Sequence, residues 1–298
     1  MVGVLVNVLV PVFGIVAVGF VVARVIGAET RTLATLSYWI LGPVFIFEIL
    51  STARLSPDVV LKIVVASLAT MVVVGVIAYG LMRPFGATFS VGAATVLTAT
   101  HGNVGNFGLA ICAFAFGDEV LPIAGIVMVA VNTLGILVGV GLASVRNGSL
   151  LRAVGTAVGS PLALAVIPAL WVNLTDATLP LWLARPVSLL AAAMIPVMLL
   201  TLGIQLAGMQ ARLPSPRLVV PVSLKLVAAP LVAVGFVTLL TLDGDPGRVV
   251  VLQAAMPAAV FTSLIALEHD LEADYVTSVV LVGTLLSAVT LPVVISLL

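Results

Sequence analysis

Ten apolar stretches follow one another with little between them, and that pattern decides the class of fold before any motif is read. They run over 2–23, 32–52, 58–81, 89–116, 120–143, 152–173, 184–207, 217–241, 247–268 and 274–297. A helix needs about 20 such residues to cross the hydrocarbon core of a bilayer. A membrane strand needs about 9–11 residues with alternating polarity. These runs are too long and do not alternate, so the reading is an all-α integral membrane protein. Composition agrees: 62% of the 298 residues are apolar and 8% charged, and the mean hydropathy is +1.35. Soluble domains carry about 25% charged residues, so soluble, disordered and disulfide-rich classes are excluded. Twelve basic residues balance twelve acidic ones, which leaves no basic surface for nucleic acid. The lipid bilayer is the partner this composition demands. Cys112 stands alone, so it reads as a small buried apolar group. The first stretch lacks a basic leader and is long enough to span, so it reads as a helix and not as a cleaved signal.

Orientation follows from Lys and Arg in short loops, which collect on the cytoplasmic side. Arg24, Arg31, Arg83, Arg146, Arg152, Arg212 and Arg217 fall on one face; Arg54, Lys62, Arg185 and Arg248 fall on the other. The first set is placed inside, with Glu268, Asp270, Glu272 and Asp274, so both termini are predicted outside a cell membrane. The link Ser144–Arg152 is read as an inner loop. Met209–Arg217 and Leu174–Pro180 read as polar turns, as does the Asp243-Gly244-Asp245-Pro246 stretch.

Ten spans divide into two copies of five, 1–146 and 147–298, and an odd number inverts the second copy. Pro43-Val44-Phe45 parallels Pro196-Val197-Met198, and Leu61-Lys62-Ile63 parallels Leu224-Lys225-Leu226. The fourth stretch of each copy is broken at a matching place. In span 4 the break is Gly102-Asn103-Val104-Gly105-Asn106, after His101; in span 9 it is Met256-Pro257-Ala258-Ala259, before Thr262 and Ser263. Glycine costs up to about 1 kcal/mol in a helix, and proline removes a backbone donor. Inside a bilayer such breaks are tolerated only around a buried polar cavity. Gly102 and Gly105 are expected to supply backbone angles closed to other residues, and Asn106 to cap the half-helix that follows. Exposed amides at a half-helix start suit an anion. Inverted repeats with paired broken helices point to secondary transport, with the site where the breaks meet. The alternative for span 4 is close helix packing through small residues, and for span 9 a plain proline kink.

At these residues the sequence resembles the auxin efflux carrier family, also called PIN-like permeases. Gly102-Asn103-Val104-Gly105-Asn106-Phe107-Gly108-Leu109 is similar to that family's span-4 signature, and Gln253-Ala254-Ala255-Met256-Pro257 to its span-9 signature. Thr284–Pro292 resembles its closing helix. The resemblance implies a fold related to bile acid–sodium symporters, with spans 1, 2, 6 and 7 as a scaffold. Spans 3–5 and 8–10 would form a moving core whose spans 4 and 9 cross at their breaks. It implies small organic anions as substrates, such as malate or malonate, and a homodimer formed through the scaffold. The sequence departs from plant members, which carry a proline in the span-4 break and a long loop between spans 5 and 6; auxin itself is therefore disfavoured.

The residues expected to bind substrate are Gly102, Asn103, Gly105, Asn106, Pro257, Ala258, Thr262 and Ser263. His101, Asn132, Gln253 and Glu48 are assigned to coupling or to support of the site. His101 has two readings, a proton carrier titrating near its reference value of about 6.5, or a neutral ring bonded to a freed carbonyl. Asn132 is expected to bond to the span-4 break, and Glu48 to lie near the outer end of span 2. Lys225 is expected to snorkel to the inner interface, with a carboxylate counter-charge as its alternative role. Gln205 reads as interfacial, Trp39, Trp171, Trp182 and Tyr79 as lipid-interface anchors, and Pro43 and Pro196 as matched kinks. No metal or cofactor is expected. Coupling to protons, or none, is favoured over sodium because the crossing offers no carboxylate. An intramembrane enzyme is disfavoured, since no nucleophile elbow, His-Glu-x-x-His or mid-span aspartate pair occurs. A channel or receptor remains the rival from another class.

Overall fold

The computed structural model describes residues 2–82, 88–147, 150–209, 216–269 and 271–298. Seven helices among them are long and apolar enough to cross a membrane. They are α1 (Leu5–Ile26), α2 (Thr30–Ser51), α3 (Pro57–Met82), α6 (Leu121–Asn147), α9 (Leu181–Gly208), α10 (Val219–Leu239) and α13 (Ala273–Leu297). The remaining longer helices form three end-to-end pairs. These are α4 (Phe89–Thr100) with α5 (Gly108–Phe116), α7 (Leu150–Val158) with α8 (Pro161–Thr175), and α11 (Asp245–Ala254) with α12 (Phe261–Glu268). The protein is an all-helical, multi-span membrane protein.

Local sequence explains the interruptions. Widened π-turns occupy Leu5–Leu9, Ser37–Leu41 and Leu224–Ala228. Each is followed two residues later by a proline, Pro11, Pro43 or Pro230. Proline has no N–H and its ring crowds the preceding carbonyls, so the ladder slips to a longer register there. Pro196 lies inside α9, which runs across it without a π-turn. Span 6, read as one run over 152–173, is divided: Ser160 accepts from Ala163 N at 3.4 Å and Pro161 starts a fresh helix. The link expected over Ser144–Arg152 is mostly helix, because α6 runs to Asn147 and α7 starts at Leu150. Arg83, Asp270, Arg212 and most of the Met209–Arg217 turn lie outside the described residues.

Helix α1 packs along α9, and α2 packs on α8 and α9. The α1–α9 contact is backbone to backbone. A Cβ at Gly203 would collide with Val16 O and Phe20 N, and one at Gly19 with Leu200 O. Lipid is as apolar as leucine, so close backbone approach and van der Waals contact replace the hydrophobic drive here. A second group gathers α3 with α4, α6 and α10, and α10 with α11. Tyr275 of α13 reaches Thr95 of α4, hydroxyl to hydroxyl at 3.0 Å. The outward faces of α2, α8 and α9 carry Trp39, Trp171 and Trp182, each more than half exposed.

Candidate functional site

The two breaks face each other. Helix α4 ends at Thr100 and α5 begins at Gly108; α11 ends at Ala254 and α12 begins at Phe261. Between them Gly102 and Ala258 form an isolated antiparallel bridge. Asn103 N donates to Pro257 O at 2.7 Å and Ala259 N donates to His101 O at 2.9 Å. Backbone groups released by unwinding thus satisfy one another, which answers the several-kcal/mol cost of orphaned groups in hydrocarbon. Four half-helix ends converge: the C-termini of α4 and α11 and the N-termini of α5 and α12.

A cavity of about 430 Å³ opens beside this bridge. Its inner wall includes Gly102, Asn103, Gly105 and Asn106 from the first break, Ala259 and Val260 from the second, and Asn132 of α6. Facing them are Ser37 of α2 and Met194, Met198, Thr201 and Gln205 of α9, with Glu268 and His269 at the end of α12. Asn103 is 4% exposed, and its Nδ2 has no hydrogen-bond partner among the described residues; neither has Ser37 Oγ or Gln205 Oε1. Buried polar groups are normally satisfied, so unpartnered groups on opposing walls mark a place suited to a polar solute.

Other predicted residues lie elsewhere. Pro257 and Ala258 contribute backbone to the bridge and do not line the cavity. Thr262 is fully buried and spends its hydroxyl on Ala259 O at 2.6 Å. Ser263 Oγ is buried and unpartnered but also lies off the cavity wall. Asn106 does not cap α5: the cap position is Phe107, with no side-chain bond, and Gly108 N donates instead to Asn103 O at 2.9 Å. Gly102 and Gly105 are not left-handed, since the positive-φ glycines are Gly27, Gly117 and Gly244. Their contribution is space: a Cβ on Gly102 would sit 3.0 Å from Lys225 Nζ, and one on Gly105 3.3 Å from Met128 Sδ. Asn132 faces the cavity without the expected direct bond to the break. Glu48 is half-buried in α2, away from the cavity, and its carbonyl accepts from Ser51 and Thr52 hydroxyls.

His101 is fully buried behind the bridge. Its Nδ1 lies 3.1 Å from Leu97 O and 3.0 Å from Thr100 Oγ1, and its ring meets Phe261 edge-on at 5.6 Å. Leu97 O can only accept, so Nδ1 carries the proton. The ring also packs on Gly135 of α6, where a Cβ would strike it. Gln253 is 1% exposed, with both side-chain polar atoms unpartnered among the described residues, and it lines a small separate pocket with Gly102 and Lys225 and not the large cavity. Lys225 does not snorkel: it is 5% exposed and donates to Ala254 O at 2.9 Å. Its sequence counterpart Lys62 instead pairs with Asp58 near the start of α3 at 2.9 Å, partly exposed.

Sequence reasoning missed Ser37, Thr201, Gln205 and Phe261 as cavity residues. All come from helices read as scaffold, or from beyond the break, and carry no local signal beyond a polar or aromatic residue in an apolar run.

Comparison with known proteins supplies independent findings. Residues 153–295 match the profile of a family described as "Membrane transport protein". The chain is also 30% identical over 259 residues to an "Uncharacterized transporter" of Methanothermobacter thermautotrophicus, a match covering 84% of this chain and 83% of that protein.

Proposed function

Because the chain belongs to the auxin efflux carrier family of membrane transport proteins, we propose that it is a secondary transporter of small organic anions, working by alternating access. On this reading each end-to-end helix pair is one crossing, for ten spans in two inverted sets of five. Exchange of the first set for the second turns the α1–α9 contact into the α8–α2 contact, and both are among the closest pairings. On this reading α1, α2, α8 and α9 are a scaffold, and the helices around the two breaks are the moving core. The cavity lies between the two groups, as rocking of one past the other requires. With the arginine-rich face inside, its Glu268–His269 end opens to the cytoplasm.

One observation carries the reading: a bridge of two broken helices at the head of a cavity whose polar lining there is amide. Asn103, Asn106 and Asn132 offer neutral donors, and the N-termini of α5 and α12 add partial positive charge. Mono- and dicarboxylates are the matching substrates, a small dicarboxylate such as malate or malonate being the first choice. Counterflow in proteoliposomes tests this: labelled malate should accumulate against an unlabelled interior load. A flux with no trans-stimulation for any carboxylate would identify a pore and refute the carrier. Uptake should persist without a sodium gradient; strict sodium dependence would reverse the coupling assignment.

A further inference from the structure

Lys225 is the one Lys or Arg buried beside the bridge, among the described residues, and the proposed function above does not draw on it. It projects from the π-turn Leu224–Ala228 of α10 and is buried, whereas its sequence counterpart Lys62 is partly exposed. Its Nζ caps the last carbonyl of α11, Ala254 O, at 2.9 Å. Gly102, just past the end of α4, comes so close that even a Cβ there would sit 3.0 Å from Nζ. The ammonium therefore stands between the C-terminal ends of two half-helices. Around it is a separate chamber of about 20 Å³ lined by Thr70, Thr100, Gln253 and neighbours, with no carboxylate. Gly102 and Val104 line both this chamber and the large cavity, so the bridge backbone is the partition between them.

The charge arithmetic is simple. Each helix C-terminus carries about −0.5 and each N-terminus about +0.5 elementary charge. Without a cation the two C-terminal ends oppose the two N-terminal ends, and the pull of the N-termini and amides on an anion is weakened. One ammonium placed at the two C-terminal ends offsets both, and the two N-terminal ends remain to favour a single negative charge. A buried ammonium without a carboxylate is costly by itself, and that cost is relieved when an anion occupies the far side of the partition. We propose that Lys225 is the fixed counter-charge of the crossing, acting from behind the Gly102–Ala258 bridge to make the cavity select an anion. This rests on the reading of the cavity as an organic-anion site. Lys225 is a specificity-determining residue that does not touch the substrate.

The test compares each acid with its uncharged amide. Purified protein is titrated by thermal shift with acetate, malonate and malate, and with acetamide, malonamide and malamide. At an effective dielectric of about 20, a charge roughly 7 Å away changes affinity by about ten- to a hundredfold. Lys225→Gln keeps a donor for Ala254 O and removes the charge. It should lower the acid-over-amide affinity ratio by that factor and leave amide affinity unchanged. Lys225→Met should do the same. A ratio that stays at the wild-type value overturns the proposal, whether or not both affinities fall together, because a merely structural lysine would act on acid and amide alike. Wild-type protein that prefers no acid over its amide would overturn the anion reading itself, and this role with it. Should neither variant fold, wild type decides: counterflow must persist in choline medium free of sodium and potassium. A strict alkali-cation requirement there would mean that the crossing lacks its own cation, and the proposal would fall.

Discussion

Truncation of Asn103 separates a binding role from a structural one. Its backbone N–H is committed to Pro257 O and its carbonyl to Gly108 N, and Asn103→Ala keeps both. Its carboxamide Nδ2 is buried and unpartnered among the described residues, so the alanine variant breaks no protein hydrogen bond from that nitrogen. Stability should change by less than about 1 kcal/mol, since the loss is confined to a few contacts in a site already open on one side. A hydrogen bond from that nitrogen to a carboxylate contributes about 1.5–3 kcal/mol. At about 1.4 kcal/mol per decade, affinity should fall roughly ten- to 150-fold. The assays are the concentration dependence of counterflow in proteoliposomes and the melting temperature in detergent. Wild-type affinity in Asn103→Ala, at unchanged melting temperature, would refute the bridge as the binding site. A large drop in melting temperature with transport intact would instead make Asn103 a structural residue.

Other outcomes follow from the same contacts. Gly203→Leu drives a side chain into Val16 O and Phe20 N and should cost about 3 kcal/mol or more, read as loss of monodisperse protein in detergent. Asn173 donates to Ala53 O at 2.7 Å and Ser51 O at 3.2 Å, tying the end of α8 to the α2–α3 link. Asn173→Ala should therefore lower stability by about 1–2 kcal/mol and leave transport affinity as in wild type. Gly135→Val forces the His101 ring off Leu97 O, so transport should drop by at least about tenfold while a truncating His101→Ala in the same chain partly restores it. Full activity of Gly135→Val alone would show that the His101 contact does not hold the break in place.

How far the sequence could be read depended on whether a feature was local. Apolar runs dictate membrane helices because a bilayer leaves the backbone no other partner. The breaks were legible for the same reason: Gly102-Asn103-Val104-Gly105-Asn106 and the Pro257 segment are poor helix in any surroundings, and each stands between half-helices in the structure. Ser160-Pro161 is just as local a signal, a cap followed by proline, and was outweighed by the continuity of the apolar run around it.

What only tertiary structure decided is direction: which way a polar group points once helices pack. Thr262 and Asn103 look equally suited to a ligand in the sequence, yet one hydroxyl bonds its own backbone while the other side chain faces the cavity. Lys225 and Lys62 sit in matching strings, yet the first lies in a π-turn and bonds Ala254 O while the second pairs with Asp58 near the helix start. Ser37, Thr201 and Gln205 join the site because α2 and α9 happen to face the breaks across the cavity. Helix formation depends on neighbours within four residues; the lining of a cavity depends on rotations and contacts between helices far apart in the chain, which no short window contains.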